Sequence, residues 1–500
     1  MNLGKLLEGV QVTKLFEQAY GQFAVTHDLD VPRLQYDSRK VERGDCFVAL
    51  RGTGTDGHQF INTAVERGAK VVMMEDDHAL PDAYCMHRSI VKIVVRDTRK
   101  ALAIMAANYF SHPSASLTMV GVTGTNGKTT TTHLIKGILE EAGQRVGLVG
   151  TIEYRIGDEV IPATHTTPES LELNDLLSRM RSAGCQSVSM EVSSHALQQS
   201  RVFGLGYRVA VFTNLTQDHL DYHGSMEEYF RAKKILFDDL SANAAAVVNG
   251  DDPWGMKIVS STRARMVSYG TGDRADVRAT DIRLSLEGTS LTVSSGGTQQ
   301  PVSTPLVGRF NMYNCLAAYA AGTALGLSPA SVSAGIRRVT SVRGRFERIS
   351  SPAGWSAIID YAHTPDALEK CLQTIHEVLP VKRRGKIITI FGAGGDRDRT
   401  KRPLMAKVAA RLSDRVIVTS DNPRTEDPNS IMDDIAAGIG REIAMVREPD
   451  RRTAIVSALR EASAGDVLLI AGKGHEDYQV LGKQKIHFSD REIVEDFIRG

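Results

Sequence analysis

Short runs rich in valine, isoleucine and leucine alternate along the chain with stretches whose apolar residues recur every three or four positions. The runs predict strands at 118–123, 146–152, 187–192, 209–213, 245–249, 386–391, 415–419 and 467–471. Strands and helices in alternation fold as parallel sheets covered by helices, so the expected class is α/β. At the amino end Leu3, Leu6, Leu7 and Val10 keep helical spacing across 1–10. Between 276 and 305 the pattern changes to short alternating segments with Gly and Ser, which predicts a small antiparallel patch inside a central domain. Breaks at 108–116, around Ser111-His112-Pro113-Ser114, and at 340–344 divide the chain into three expected domains, 1–110, 111–341 and 342–500.

Composition agrees with several domains, because 500 residues exceed the roughly 250–300 at which single cores stop growing. Hydrophobic residues at 42% and charged residues at 24% exclude wholesale disorder. Lys plus Arg number 60 against 59 Asp plus Glu, so the charge footprint of a dedicated nucleic-acid binder is missing and no nucleic-acid partner is expected. No apolar run reaches the roughly 18 residues a membrane helix needs, so no membrane insertion is expected. The first ten residues carry one Lys and lack the parts of a signal peptide, which reads as mature sequence. Cys46, Cys85, Cys185, Cys315 and Cys371 are odd in number and form no C-x-x-C pair, as expected of reduced thiols in a cytoplasmic protein.

The strongest chemical signal is Gly121-Val122-Thr123-Gly124-Thr125-Asn126-Gly127-Lys128-Thr129-Thr130, which follows an apolar strand and opens a helix marked by Leu134, Ile138 and Leu139. Glycines let backbone N–H groups turn toward phosphate oxygens, Lys128 adds a mobile positive charge, and Thr129 offers a hydroxyl to Mg²⁺. Val122 stands where the usual G-x-x-x-x-G-K-T pattern has its first Gly. A Gly-rich turn that merely caps a helix is the bland alternative; strand, Lys-Thr pair and helix together favour ATP or GTP.

Glu191 ends a predicted buried strand and precedes Ser193-Ser194-His195. A carboxylate at the carboxyl edge of a sheet is a candidate Mg²⁺ ligand, and an acidic helix cap is its alternative. His219 follows the next strand and is either a second metal ligand or a hydrogen-bonding loop residue. On the helix after Gly224, Lys233 falls in an apolar stripe with Met226, Phe230, Phe237 and Leu240, whereas Lys234 shares a face with Glu227, Arg231 and Asp238. A buried Lys must lose its charge, find a partner or be modified. Carbamylation by CO₂ would make it an anionic oxygen ligand for Mg²⁺, and snorkelling to the helix edge is the alternative.

Together these residues resemble the Mur ligase family of ATP-dependent amide-forming enzymes. The likeness runs through Asp37-Ser38-Arg39 with Gly44-Asp45, Thr166-Thr167-Pro168-Glu169, Glu191 to His195, Asn214 to His223, Asn311-Met312-Tyr313-Asn314, Gly344-Arg345-Phe346-Glu347 and Asp360-Tyr361-Ala362-His363. Three C-terminal runs, Gly394-Gly395-Asp396-Arg397-Asp398, Asp421-Asn422-Pro423-Arg424 and Gly472-Lys473-Gly474-His475-Glu476, resemble the members that add meso-diaminopimelate to UDP-N-acetylmuramoyl-L-alanyl-D-glutamate. The resemblance implies a central ATP-binding domain between an N-terminal UDP-sugar-binding domain and a C-terminal Rossmann-like domain that takes the amino acid.

It also implies roles. Lys128, Glu191, His219 and carbamylated Lys233 would be catalytic, with Thr129, Glu191, His219 and Lys233 serving Mg²⁺. ATP would meet Gly124, Thr125, Asn126, Gly127, Lys128, Thr129, Thr130, Asn311, Asn314, Arg345 and Asp360. The UDP-dipeptide would meet Tyr36, Ser38, Thr53, Gly54, Thr55, His165, Thr166, Thr167, Ser193, Gln199 and Arg201. Diaminopimelate would meet Arg397, Asp421, Asn422, Pro423, Arg424, Gly472 and Glu476. Its extra carboxylate suits the forked guanidinium of Arg424 or Arg397, whereas a lysine-adding relative would lack Arg424. A folylpolyglutamate synthetase relative would lack the Thr166–Glu169 and Asn422–Arg424 runs, and a nucleotide-dependent switch or assembly protein would need the phosphate loop alone.

Overall fold

The computed structural model describes residues 1–16, 28–52, 54–379, 385–440 and 444–500. Thr53 lies outside the described residues. The chain divides into two compact units, one of residues 1–277 with 317–332 and one of 278–316 with 333–500.

The first unit opens with strands β1 (Val12–Phe16), β2 (Leu34–Gln35), β3 (Cys46–Val48), β4 (Val71–Met74) and β5 (Val91–Val95), ordered β1-β5-β4-β3-β2. Only β1 runs antiparallel to its neighbour. The interior strands β3, β4 and β5 are buried along their whole length, which is why they read as unbroken apolar runs. The helical spacing at the amino end yields only the Leu3–Leu6 helix, not one reaching Val10. Asn2 caps it, Leu3 and Leu6 are buried, and Gly9 at φ +77° turns the chain away.

The second sheet of this unit contains β6 (Thr118–Thr123), β7 (Val146–Val149), β8 (Glu153–Ile156), β9 (Glu159–Pro162), β10 (Ser187–Glu191), β11 (Tyr207–Phe212), β12 (Ala245–Asn249) and β13 (Arg265–Gly270). Its order is β13-β12-β11-β6-β10-β7-β8-β9. The strands from β13 to β7 are parallel, and β8 and β9 add an antiparallel edge. Because β6 lies between β11 and β10, the three loops that leave their carboxyl ends open side by side, where open α/β sheets bind ligands.

The second unit includes β14 (Val277–Ser285), β15 (Gly288–Ser295) and β16 (Thr298–Thr304), the patch expected from the alternating segments. Residues 278–316 fall in the second unit. Then follow β17 (Glu347–Ser350), β18 (Ser356–Asp360), β19 (Ile387–Phe391), β20 (Arg415–Val418), β21 (Ala444–Arg447) and β22 (Val467–Ala471), ordered β17-β18-β22-β19-β20-β21. All but the β17–β18 pair are parallel. A separate hairpin, β23 (Tyr478–Leu481) and β24 (Gln484–His487), follows. The five cysteines are free and buried, and among the described residues no helix is long and apolar enough to cross a membrane.

Candidate active site

β6 ends at Thr123, and the Lys128–Glu141 helix begins after four loop residues. The helix takes Gly127 at φ +85° as its N-cap, and this residue has no side chain to occupy the first amides. An N-terminus left open in this way presents N–H groups and the positive end of the helix dipole to an anion. Gly124, at φ +146°, passes so close to β11 that an added Cβ would lie 1.9 Å from Thr213 Oγ1. Thr213 Oγ1 donates to Asn126 O at 2.6 Å, Asn126 N–H donates to Asn214 Oδ1 at 3.0 Å, and Thr125 Oγ1 donates to Thr216 O at 3.1 Å. The loop is thus fixed by the 213–216 segment rather than by its own turns.

Two lysines meet at this loop. Lys128 Nζ donates to the carbonyl oxygens of Gly124 at 2.9 Å and Thr125 at 2.8 Å, and Lys233 Nζ also donates to Gly124 O at 2.9 Å. Lys233, in the Met226–Asp238 helix, is 1% exposed and lies 4.4 Å from the centre of the Tyr229 ring. Burial, then the charge of Lys128, pushes its pKa well below the ordinary lysine range. The snorkelling alternative fails on this burial. Lys234, expected on a solvated face, is partly buried at 16% exposure and pairs with Asp238.

Glu191 is fully buried at the end of β10. Its Oε1 accepts from Thr151 N–H at 2.8 Å and its Oε2 from Thr151 Oγ1 at 3.1 Å. It is not a helix cap, because Ser193 caps the Ser194–Gln198 helix through Ala196 N–H. His219 follows β11 in the left-handed region at φ +52° and stands half exposed. Its ring packs edge-on against His195 at 4.9 Å, and His195 in turn stacks on Tyr222 at 4.1 Å and meets His223 at 5.3 Å. Burial lowers the pKa of His219 and pushes that of His195 down to about 4. Uncharged imidazoles beside a phosphate loop remain free to accept hydrogen bonds or ligate a metal.

Among the described residues no three His, Cys, Asp or Glu converge as a ready metal cage. Magnesium is nonetheless held typically by one or two carboxylates with substrate phosphates completing its shell. The buried Glu191 carboxylate and the buried Thr129 fit that sparse mode, and a carbamate on Lys233 would add an anionic oxygen ligand.

The expected UDP-substrate residues of the central sheet form one network. Thr151 Oγ1 meets Thr166 Oγ1 at 3.0 Å; Thr167 Oγ1 donates to Glu191 O at 2.9 Å and accepts from Ser193 N–H at 3.1 Å. Arg201 donates to Thr167 O at 3.0 Å and to Gln199 Oε1 at 2.7 Å, and Gln199 Nε2 donates to Tyr222 OH at 3.0 Å. His165 is exposed; its carbonyl accepts from Tyr154 OH at 2.6 Å, and its ring Nδ1 meets Thr164 Oγ1 at 3.4 Å. Nearer the amino end, Tyr36 OH donates to Glu172 Oε1 at 2.8 Å, Ser38 is buried in a short helical turn, and Gly54 and Thr55 are exposed.

In the second unit Asn311 is buried, donating from Nδ2 to Val307 O at 2.9 Å and accepting from Asn314 Nδ2 at 3.0 Å. Asp360 ends β18 and accepts from Phe346 N–H at 2.6 Å. Burial raises its pKa, opposed by Arg345, whose guanidinium lies 5.1 Å from the Tyr361 ring centre.

The three C-terminal runs converge. Gly395 N–H donates to Asn422 O at 2.9 Å, Arg424 Nη1 donates to Gly395 O at 2.7 Å, and Asn422 Nδ2 donates to Glu476 Oε2 at 2.9 Å. Pro423 O lies 1.9 Å from where a Cβ at Gly395 would stand, so only glycine allows this approach. Gly472, at φ +113°, faces Asp421. Arg397 is exposed and donates to Asp396 O at 3.0 Å.

Sequence reasoning missed the supports of these groups. Thr151 holds Glu191 from 40 positions away, and His195, Tyr222, His223 and Tyr229 form an aromatic wall that no single motif contains. Arg451, fully buried against Asp490, donates to Ser420 O at 3.4 Å and Ala471 O at 3.0 Å, the carbonyls just before two of the C-terminal runs. An arginine in the first turn of a helix, where anions are favoured, was the signal available.

Family models described as Mur ligase family catalytic domain, Mur ligase middle domain, and Mur ligase glutamate ligase domain match residues 31–110, 122–322 and 344–474. The UDP-N-acetylmuramoyl-L-alanyl-D-glutamate–2,6-diaminopimelate ligase of Geobacter metallireducens is 46% identical over 490 residues, covering 93% of this chain and 94% of its own. The ligase of the same name from Clostridium botulinum is 41% identical over the full length of both chains. A solved structure under that name is 33% identical with a TM-score of 0.70, covering 97% of this chain and 99% of its own. A UDP-N-acetylmuramoylalanyl-D-glutamyl-2,6-diaminopimelate–D-alanyl-D-alanyl ligase from Acinetobacter baumannii, 20% identical with a TM-score of 0.63 over 99% of this chain and 98% of its own, shares the fold.

Proposed function

The chain belongs to the Mur ligase family, and on that premise we propose that it joins meso-diaminopimelate to UDP-N-acetylmuramoyl-L-alanyl-D-glutamate at the expense of ATP, in peptidoglycan precursor synthesis. The observation that carries the reading is the convergence of Gly395, Asn422, Arg424 and Glu476 on one loop cluster. That cluster combines guanidinium and carboxylate groups, as a zwitterionic diacid requires.

In this reading the terminal carboxylate of the UDP-dipeptide attacks the γ-phosphate of ATP, giving an acyl phosphate and ADP. The amine of diaminopimelate then adds to the acyl carbon, and the tetrahedral intermediate expels phosphate to leave the amide. The open amides after Gly127 and the ammonium of Lys128 hold phosphate oxygens and oppose the charge that builds during transfer. Thr129, Glu191, His219 and carbamylated Lys233 would hold Mg²⁺, which supplies neutralising charge between two anions. Asn311, Asn314, Arg345 and Asp360 are proposed for the rest of the nucleotide, and Tyr36, Ser38, Thr53 to Thr55, His165 to Thr167, Ser193, Gln199 and Arg201 for the UDP-dipeptide. Arg424 and Arg397 favour the second carboxylate of diaminopimelate, while Asp421 and Glu476 take an ammonium. The segments 1–110, 111–341 and 342–500 are proposed as UDP-sugar-binding, ATP-binding and amino-acid-binding domains. The cytoplasm, where ATP and UDP-linked precursors are held, is the proposed compartment.

The test is product mass after incubation with ATP, Mg²⁺ and UDP-muramoyl dipeptide, with meso-diaminopimelate and L-lysine in parallel. Tripeptide from diaminopimelate and not from lysine is expected. Product mainly from lysine would keep the ligase and overturn the account of Arg424.

A further inference from the structure

Lys473 stands inside the third C-terminal run, between residues assigned to the acceptor, yet it is itself fully buried. Its ammonium is enclosed by three side chains of the proposed acceptor pocket: Asn422 Oδ1 at 3.2 Å, Glu476 Oε2 at 3.4 Å and Asp421 Oδ1 at 3.5 Å. The rings of Tyr478 and Phe488 lie 5.6 and 6.0 Å from its nitrogen and form an aromatic sleeve beside the ammonium. A charge removed from water to this degree persists only where its partners return the lost solvation. Here all three partners are residues that the ligase reading gives to diaminopimelate.

The contacts fix more than charge. Asn422 Oδ1 also accepts from Val480 N–H at 3.0 Å, so its amide oxygen faces Lys473 and β23 while its Nδ2 is turned onto Glu476. Without Lys473, two carboxylates would face each other across Asn422, and like charges at one site drive proton uptake or separation. With it, the Asp421 and Glu476 carboxylates share one buried cation. Asp421 Oδ1 is buried and has no hydrogen-bond donor of its own. One substrate ammonium would satisfy that oxygen.

We propose that Lys473 is a positioning residue for the amino-acid acceptor: by binding Asp421, Asn422 and Glu476 together it presents one carboxylate-lined seat for a substrate ammonium. The inference rests on the ligase reading. Lys473→Met keeps the length and apolar stem inside the sleeve and removes the ammonium. It raises the KM for meso-diaminopimelate at least about tenfold, as expected for lost hydrogen bonds to charged groups, and leaves the KM values for ATP and UDP-dipeptide within about twofold.

A double-mutant cycle separates positioning from folding. Glu476→Gln also raises the acceptor KM, and adding Lys473→Met to it raises the KM by much less than Lys473→Met does alone. The double variant removes one charge of each sign, and if Lys473→Met alone fails to fold it is compared with Glu476→Gln: a further rise in acceptor KM below about threefold upholds the proposal, and one of about tenfold or more overturns it. Equal rises in all three KM values, an unchanged acceptor KM in folded Lys473→Met, or effects that simply multiply would overturn the proposal. The wild-type arm tests the ligase reading separately. If wild type joins lysine instead, that reading's acceptor falls while an acceptor-specific KM rise for lysine in Lys473→Met still upholds Lys473; if wild type joins neither amine, both fall.

Discussion

Lys233 and Gly124 show how single residues set the chemistry of the phosphate loop. Both lysines donate to the one carbonyl of Gly124, and the one that is buried loses its charge more readily. An uncharged amine is the form that reacts with CO₂, so the burial of Lys233 supports its proposed carbamylation. Lys233→Met replaces a desolvated amine with an apolar group in a helix whose Tyr229, Phe230 and Phe237 are also buried, beside the Tyr229 ring. Its expected outcome is a fall in kcat of about 100-fold or more, the scale of losing one electrostatic stabiliser, with a thermal midpoint equal to or above wild type. A folded, fully active Lys233→Met protein would remove Lys233 from the site. Gly124→Ala should act by geometry instead. Its Cβ would meet Thr213 Oγ1 at 1.9 Å in a backbone region that favours glycine, and calorimetry should show ATP affinity lowered about tenfold or more.

Lys233 was legible because a charge interrupts an apolar helical stripe, a conflict visible without coordinates. The His195–Tyr222–His223 wall was not, because its members come from two short helices, Ser194–Gln198 and Leu220–His223, that only the β10-β6-β11 order brings together. Lys473 was hidden for another reason: a Lys between glycines in a loop carries no periodicity against which burial could be read.

At the scale of elements, strands buried on both faces stated their own positions. The expected runs at 118–123, 245–249 and 467–471 coincide with β6, β12 and β22. The β23–β24 hairpin left no such trace, since all four residues of β24 are exposed, although Val480 bonds both Asn422 and Arg424. Polar edges and hairpins are chosen by their partners, and partners are absent from a periodicity.

The N-terminal sheet depends on a clamp of the same hidden kind. Lys92 in β5 is 1% exposed and donates to Asp77 O and Leu80 O, both at 2.7 Å, and to Asp82 Oδ1 at 2.8 Å, while Lys14 in β1 meets Asp77 at 2.9 Å and Asp82 at 3.0 Å. Hydrogen bonding from Lys92, then Lys14, holds the Asp77 carboxyl down at about 2 and lowers Asp82 in the same direction. A carboxyl lowered by folding stabilises above its unfolded value and loses that contribution as pH falls through its folded one. Hydrogen-exchange protection of β4 and β5 should therefore be level down to about pH 4 and decline toward about pH 2. Lys92→Met should flatten that decline and cost about 2 kcal/mol at neutral pH, less than a fully buried pair because both carboxylates are more than a third exposed.

At the scale of the whole molecule, the residues assigned to the reaction are divided between the two compact units. The phosphate loop, Glu191, His219 and Lys233 belong to one, and Asn311, Arg345, Asp360 and the three C-terminal runs to the other. The phosphate loop alone would also suit a switch or a motor, and a fold of this kind hosts many activities. What distinguishes a ligase is that phosphoryl transfer should wait for its carboxylate. Lys128 and the open helix terminus can polarise ATP toward any nucleophile, so water must be a poor competitor for the position that the UDP-dipeptide occupies. Net phosphate release should then require every substrate, since the acyl phosphate turns over productively only when the amine arrives. Release measured with purified protein, ATP and Mg²⁺ should fall to about one hundredth of the full rate or below when either UDP-dipeptide or diaminopimelate is omitted. Phosphate release that proceeds at the full rate without them would assign the loop to a nucleotide switch and leave the C-terminal cluster without a substrate.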